Sequence, residues 1–280
     1  MKRKKKRTHR FLIKALLILC LVLICALLGL GLFANRALCT AVETAGTDAL
    51  GTHVTVTDAD LWLKDHRFVL QDLIVNNPEG YEQTIFLTVQ QVNAQVKLNT
   101  LLKETVHIDH LELSDMQVFI ESKGVTTNLQ EVVDAIELGM EEQTYVYAKK
   151  LTITQLVMDN IQVEMQLPPL LGKPKPIRFS VAPITLHDLG NDGQLNVGTL
   201  TAKIILALVA GVLEQGASML PGDMQKAVQG PLGETAKKSF ELLKDNPEAG
   251  EMILEGAKSL GKGIMEILSP NQPTDTPHRE

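Results

Sequence analysis

The chain has 280 residues and a net charge of −6, with 33 acids against 27 Lys and Arg. That length holds one or two domains with additional segments. Residues 1–10 carry seven Lys/Arg and no acid, which leaves 20 bases against 33 acids in the rest; an acidic body of this kind excludes a nucleic-acid surface. Only three cysteines occur, Cys20, Cys25 and Cys39. They exclude a disulfide framework and a cysteine-based metal site in the body.

The first element is apolar. Ala15 to Ala34 is a run of 20 residues without a charge, and at about 1.5 Å per residue it spans about 30 Å, the hydrocarbon thickness of a bilayer. Phe11, Leu12 and Ile13 extend it, and Lys14 can reach back to the headgroups. The run is longer than the core of a cleaved signal peptide, and Phe33-Ala34-Asn35-Arg36 is a poor cleavage site. A lipoprotein reading would use Cys39, but the bulky Leu38 precedes it. The expectation is an uncleaved anchor over 11–34. The basic tail 1–10 stays in the cytoplasm and the body lies outside.

Ala41 to Gly51 is small and polar and reads as a short helix or linker, within a linker expected over 35–51. The pattern then becomes β. His53 to Thr57 alternates, Leu61-Trp62-Leu63 follows, and Phe68-x-Leu70-x-x-Leu73-x-Val75 joins two alternating runs through a one-residue slip. Alternation marks a strand with one buried face, and such a slip is what a bulge produces. The turn Asn76-Asn77-Pro78-Glu79-Gly80 closes it. Thr84 to Leu98 reads as a long strand and Asn99 to Lys103 as a helical turn.

The slip pattern returns 38 residues on, as Val106-x-Ile108-x-x-Leu111-x-Leu113, and 45 beyond that as Leu151-x-Ile153-x-x-Leu156-x-Met158. Both continue with further alternation, and Ile184-x-Leu186-x-x-Leu189 is an incomplete fourth copy, so an internal repeat is expected. Asn128 to Ile136 has helical spacing, with Asn128 as the cap and Glu131 three residues on. Pro168, Pro169, Pro174 and Pro176 mark a loop, and Ile177 to Leu189 a last strand pair. Ile204 to Leu213 is too short to span a bilayer and reads as a buried or interfacial helix. Asn246-Pro247-Glu248 starts another helix, and 269–280 is a disordered tail. The fold class expected is α+β. A transmembrane helix precedes an elongated, curved, mostly antiparallel sheet with an apolar face over 52–194, and amphipathic helices follow over 195–268.

In order, the anchor, Gly51 to Val56, Leu70 to Tyr81 (with its Asn-Pro-x-Gly-Tyr turn), Val92 to Leu102, the Val106 copy and Thr127-Asn128-Leu129 resemble the N-terminal part of AsmA-like proteins of Gram-negative envelopes. More distantly the chain resembles chorein-type lipid-transfer proteins. The resemblance covers about residues 11–135. It implies a periplasmic body with an apolar groove that binds, moves or organises lipids in envelope biogenesis, with the protein held in the inner membrane. On that reading Leu70, Leu73, Val75, Ile108, Leu111 and Ile153 contact lipid. Eight to ten strands about 4.8 Å apart make a groove on the order of 40–50 Å, too short for a bridge between membranes. The alternative is a scaffold whose groove is filled by its own C-terminal helices. Partners expected are membrane lipids, with other envelope proteins or a second copy as further candidates, and no nucleic acid.

No phosphate loop, nucleophile elbow or HExxH is present. His107 and His110, three apart on a strand, are expected on opposite faces. Asp58, Asp60 and Asp65 read as a solvated strand end, and Trp62 and Tyr81 as core or turn-packing residues. No catalytic residue, metal or cofactor is expected, and the chain reads as no enzyme.

Overall fold

The computed structural model describes residues 35–123, 126–141, 149–166, 176–193 and 195–216. The expected anchor (11–34), the Pro-rich loop up to residue 175 and everything after 216 lie outside them. Among the described residues no helix is long and apolar enough to cross a membrane. Helix α1 covers residues 35–50. Strands β1 (Val54–Trp62), β2 (Arg67–Asn76), β3 (Ile85–Val96) and β4 (Thr105–Lys123) follow. Then come the two-residue β5 (Thr126–Thr127), helix α2 (Asn128–Glu141), β6 (Lys150–Met158), β7 (Ile161–Gln166), β8 (Ile177–Val181), β9 (Ile184–Leu189) and helix α3 (Val197–Gly216). The fold is α+β, with a mixed, mostly antiparallel sheet and three helices.

β1 to β4 form an antiparallel meander. The 19-residue β4 then pairs in parallel with β6 along its first half and with β7 along its second. A parallel neighbour needs a crossover, and α2 is part of the chain that supplies it. The 45-residue offset seen in the sequence is this parallel register: Val106 faces Leu151, Ile108 faces Ile153, Leu111 faces Leu156, and Val118 faces Val163. The 38-residue offset is no such equivalence. Through β3, Leu70 aligns with Leu113 and Leu73 with Met116, so β2 corresponds to the part of β4 that begins at Leu111. β8 and β9 do not pair with each other as a hairpin. They pair with β7 and β6 and form one outer strand interrupted at Ala182-Pro183.

The slips have a common cause. β1 to β4, β6 and β9, and the junction of β6 with β7, carry two consecutive outward residues where the buried face changes phase, and these pairs line up across the sheet. One line runs through Asp58, Gln71, Gln91 and Ser114 to Asp159-Asn160. A second runs through His110, Gln155 and His187. Asp72, Asp115 and Asn160 on the first line and Asp188 on the second have φ of 50°, 57°, 46° and 55°. Short Asp and Asn side chains tolerate this left-handed region best among residues with a Cβ. In β2 the slip is therefore no bulge of two residues against one. Thr57, Asp72 and Gln90 sit opposite one another, and the pairing stays in register on either side. The extra residue of a true bulge is Asp109, between the pairs Gln95–His110 and Val96–Ile108.

The inner face of the sheet and the three helices share the core. α1 lies on β1, with Cys39 packed among Val56, Ala59 and Leu70. Its Glu43 and Thr47 accept the outward N–H groups of Val56 and Val54, each at 3.0 Å, which pairs part of an otherwise open sheet edge. α3 is buried along Ile205 to Ala210, so its apolar run is a core helix.

Candidate functional site

The six residues expected to meet lipid all lie on the inner face. Val75, Ile108, Leu111 and Ile153 are buried in the main core, and Leu70 is buried under α1. Leu73 is half-buried and touches both clusters. Where α2 and α3 meet β3 and β4, the crevice lined by Phe86, Val118, Leu129 and Ile205 has a volume of about 10 Å³, room for one water at most. Coverage is weaker on β1 to β3 toward Trp62. There Leu61, Phe68, Leu73, Val92 and Ala94 are only half-buried. The pairings Leu61–Phe68 and Phe68–Ala94 join three of them, and Val92, opposite the buried Leu70, and Leu73, beyond it on β2, continue the same inner face.

The opposite end of the sheet holds a buried polar network. Asn128, 0% exposed, is its centre. Its Oδ1 accepts the N–H of Glu121 at 3.0 Å and of Leu129 at 2.8 Å. Its Nδ2 donates to Phe119 O and to Asn77 Oδ1, both at 2.7 Å. Asn77 Nδ2 donates to Gln83 O at 2.7 Å. The carboxylate of Glu121 accepts the N–H groups of Glu82 and Gln83, each at 2.9 Å. Tyr81 donates its hydroxyl to Glu131 at 2.8 Å, and Lys123 lies 5.4 Å from the Tyr81 ring and donates to Glu79 O. Gly80 adopts φ +90° with Lys123 close above it. The Asn-Pro-x-Gly-Tyr turn and the Thr-Asn-Leu triplet, about 50 residues apart in sequence, are thus two halves of one fastening.

This corrects the reading of α2. Asn128 is turned into the network, and Thr127 caps the helix by accepting the N–H of Gln130 at 3.1 Å. Glu131 does not close a capping box on Asn128; it takes the Tyr81 hydroxyl. Sequence reasoning missed Glu121, an acid at an outward strand position that is 7% exposed. Its only sequence signal was its place just before the Thr-Asn-Leu turn.

The remaining groups fall as follows. His107 and His110 share the outer face, because the phase change lies between them; His107 Nδ1 is 2.6 Å from Thr152 Oγ1. Asp58 accepts the N–H of Ala59, and Asp60 that of the Gln71 amide. Among the described residues no group of three His, Cys, Asp or Glu could hold a metal ion. Burial pushes the Cys39 thiol up, with Glu43 adding to the effect, and a thiol held protonated is a poor nucleophile. Trp62 does not pack in the core: it is 52% exposed. No family model matches the chain, and no curated protein matches it.

Proposed function

We propose that the chain is a single-pass inner-membrane protein with an AsmA-like body in the periplasm, and that it binds and organises membrane lipids locally in envelope biogenesis. The 20-residue apolar run behind a basic tail supports the anchor and its orientation. The body on this reading is an elongated, curved sheet whose apolar face is the binding wall. The observation that carries lipid binding is the half-buried strip Leu61, Phe68, Leu73, Val92 and Ala94. Covering a half-exposed Leu or Phe is worth about 1–2 kcal/mol, so an acyl chain laid along the strip gains from several side chains at once. The deeper residues Ile108, Leu111 and Ile153 act as the floor beneath the helices.

A second reading, a scaffold filled by its own helices, is supported by the burial of those three residues and by the 10 Å³ crevice. Photo-crosslinking separates the two. A benzophenone amino acid at Leu73 in the full chain, activated in cells, is expected to give adducts that carry phospholipid. Adducts to protein alone would leave the scaffold.

A further inference from the structure

Pairings gather several segments at one end of the sheet. Trp62 faces Arg67, and Arg67 faces Gln95. Val96 N–H donates to His66 O, and Lys97 N–H to His107 O. Lys150 N–H donates to Glu104 O, Lys149 Nζ to Leu101 O, and Leu151 N–H to Leu195 O. Residues 62–67, 97–104, 149–150, 190–193 and 195 therefore share this end. They hold six Lys/Arg against three acids, although the chain beyond residue 10 has 20 bases against 33 acids; Lys97 is paired with Asp109 and Lys150 with Glu104, which leaves Lys64 and Lys103 outside these ion pairs. Leu102 at this end is 98% exposed and Trp62 52% exposed. Exposed Trp and Leu among lysines are the side chains that settle at a bilayer interface.

The path of α1 points the same way. Thr47 bonds Val54, Glu43 bonds Val56, and Cys39 packs on Ala59, so α1 runs back along β1 toward Trp62. From Thr47 to residue 35 the helix rises about 18 Å. From Val54 to Trp62 the strand advances about 26 Å. Trp62 therefore stands about 8 Å beyond residue 35, past the end of α1 that the apolar run precedes in sequence. That distance matches the depth to which interfacial apolar groups sink, about 5–10 Å.

We infer that this end, through Trp62, Leu102 and the lysines Lys64 and Lys103, docks on the surface of the bilayer that holds the anchor, with anionic phospholipid as the partner. The inference rests on the anchor reading above. It places the half-buried strip beside the bilayer, since Leu61 precedes Trp62 and Phe68 follows Arg67. A lipid tail would then move between membrane and strip without crossing water.

Trp62 is the only tryptophan in the chain, so it reports without alteration. The full chain is reconstituted into phosphatidylcholine–phosphatidylglycerol vesicles that contain lipids brominated near the headgroup end or near the methyl end of the tail. Headgroup-end bromines are expected to quench Trp62 at least about twofold more than methyl-end bromines, and the bilayer is expected to screen it from iodide. The pair Trp62→Phe with Leu102→Trp is expected to repeat the pattern, and Lys64→Glu with Lys103→Glu to weaken it. A Trp62 that iodide reaches and bromine does not, in a chain that resists carbonate extraction, overturns the docking and leaves the anchor standing. Release of the chain by carbonate overturns the anchor itself.

Discussion

The two ends of the sheet solve opposite problems. At the Asn128 end, polar groups are sunk and paired: one amide makes four hydrogen bonds and one carboxylate closes two backbone N–H groups. At the Trp62 end, apolar groups stand in solvent among lysines. A buried polar group costs stability unless every bond is made, so the first end is specified by bonds internal to the chain. An exposed Trp and Leu contribute little to folding, so on the docking proposed above the second end would be held by contact with the bilayer rather than by bonds within the chain. Substitutions should therefore separate stability from membrane contact, end by end.

The sharpest break is Asn128→Ala. It strands the N–H groups of Glu121 and Leu129 and the acceptors Phe119 O and Asn77 Oδ1. Two of these can reach water as the turn loosens, so the expected loss is about 3–5 kcal/mol. Urea unfolding followed by circular dichroism measures it. Quenching of Trp62 by brominated lipid should stay unchanged in the fraction that remains folded. A loss below about 1 kcal/mol would show that the network is not what fastens this end.

This end was half legible. Helical spacing marked α2, and the Pro-Glu-Gly turn marked itself, because both are local signals. That Asn128 would leave its capping position to Thr127 was not legible, since capping and cross-strand bonding ask for the same side chain. The slips were visible as spacing, but the partner of each was not. Asp72, Asp115, Asn160 and Asp188 each precede an inward apolar residue, and only the pairing shows them lined up across strands. The parallel ladder was also hidden in plain numbers, as a 45-residue repeat that is a register. The half-buried strip could not be read at all, because burial by α1, α2 and α3 depends on where helices far apart in sequence come to rest.

The next effect in size tests whether the phase lines belong to the fold as a whole or to one end. Asp115 sits between the ends at φ 57°. Asp115→Val places a β-branched side chain in the left-handed region and should cost about 1–3 kcal/mol. Asp115→Asn keeps the tolerance and should stay within about 0.5 kcal/mol. Equal costs for the two would mean that the carboxylate, which accepts from Asn160 Nδ2, matters more than the backbone. Tyr81→Phe should follow at about 1 kcal/mol, the net value of a hydrogen bond from a half-buried hydroxyl to Glu131. The ring stays beneath Lys123 in that variant, so a larger loss would assign more of the fastening to this one bond.

The smallest effect is the most telling about the comparison. Leu102→Ser removes a side chain that is 98% exposed, so folding has almost no apolar burial to lose, and urea unfolding should shift by less than about 0.5 kcal/mol. The same change should weaken contact with the bilayer, seen as reduced quenching of Trp62 by headgroup-end bromine. A side chain that served the fold would move both measurements together. One that served neither would leave both still. Only a residue kept exposed for an external apolar surface moves the second alone, and that divergence, set against Asn128→Ala moving the first alone, would show that the two ends answer to different partners.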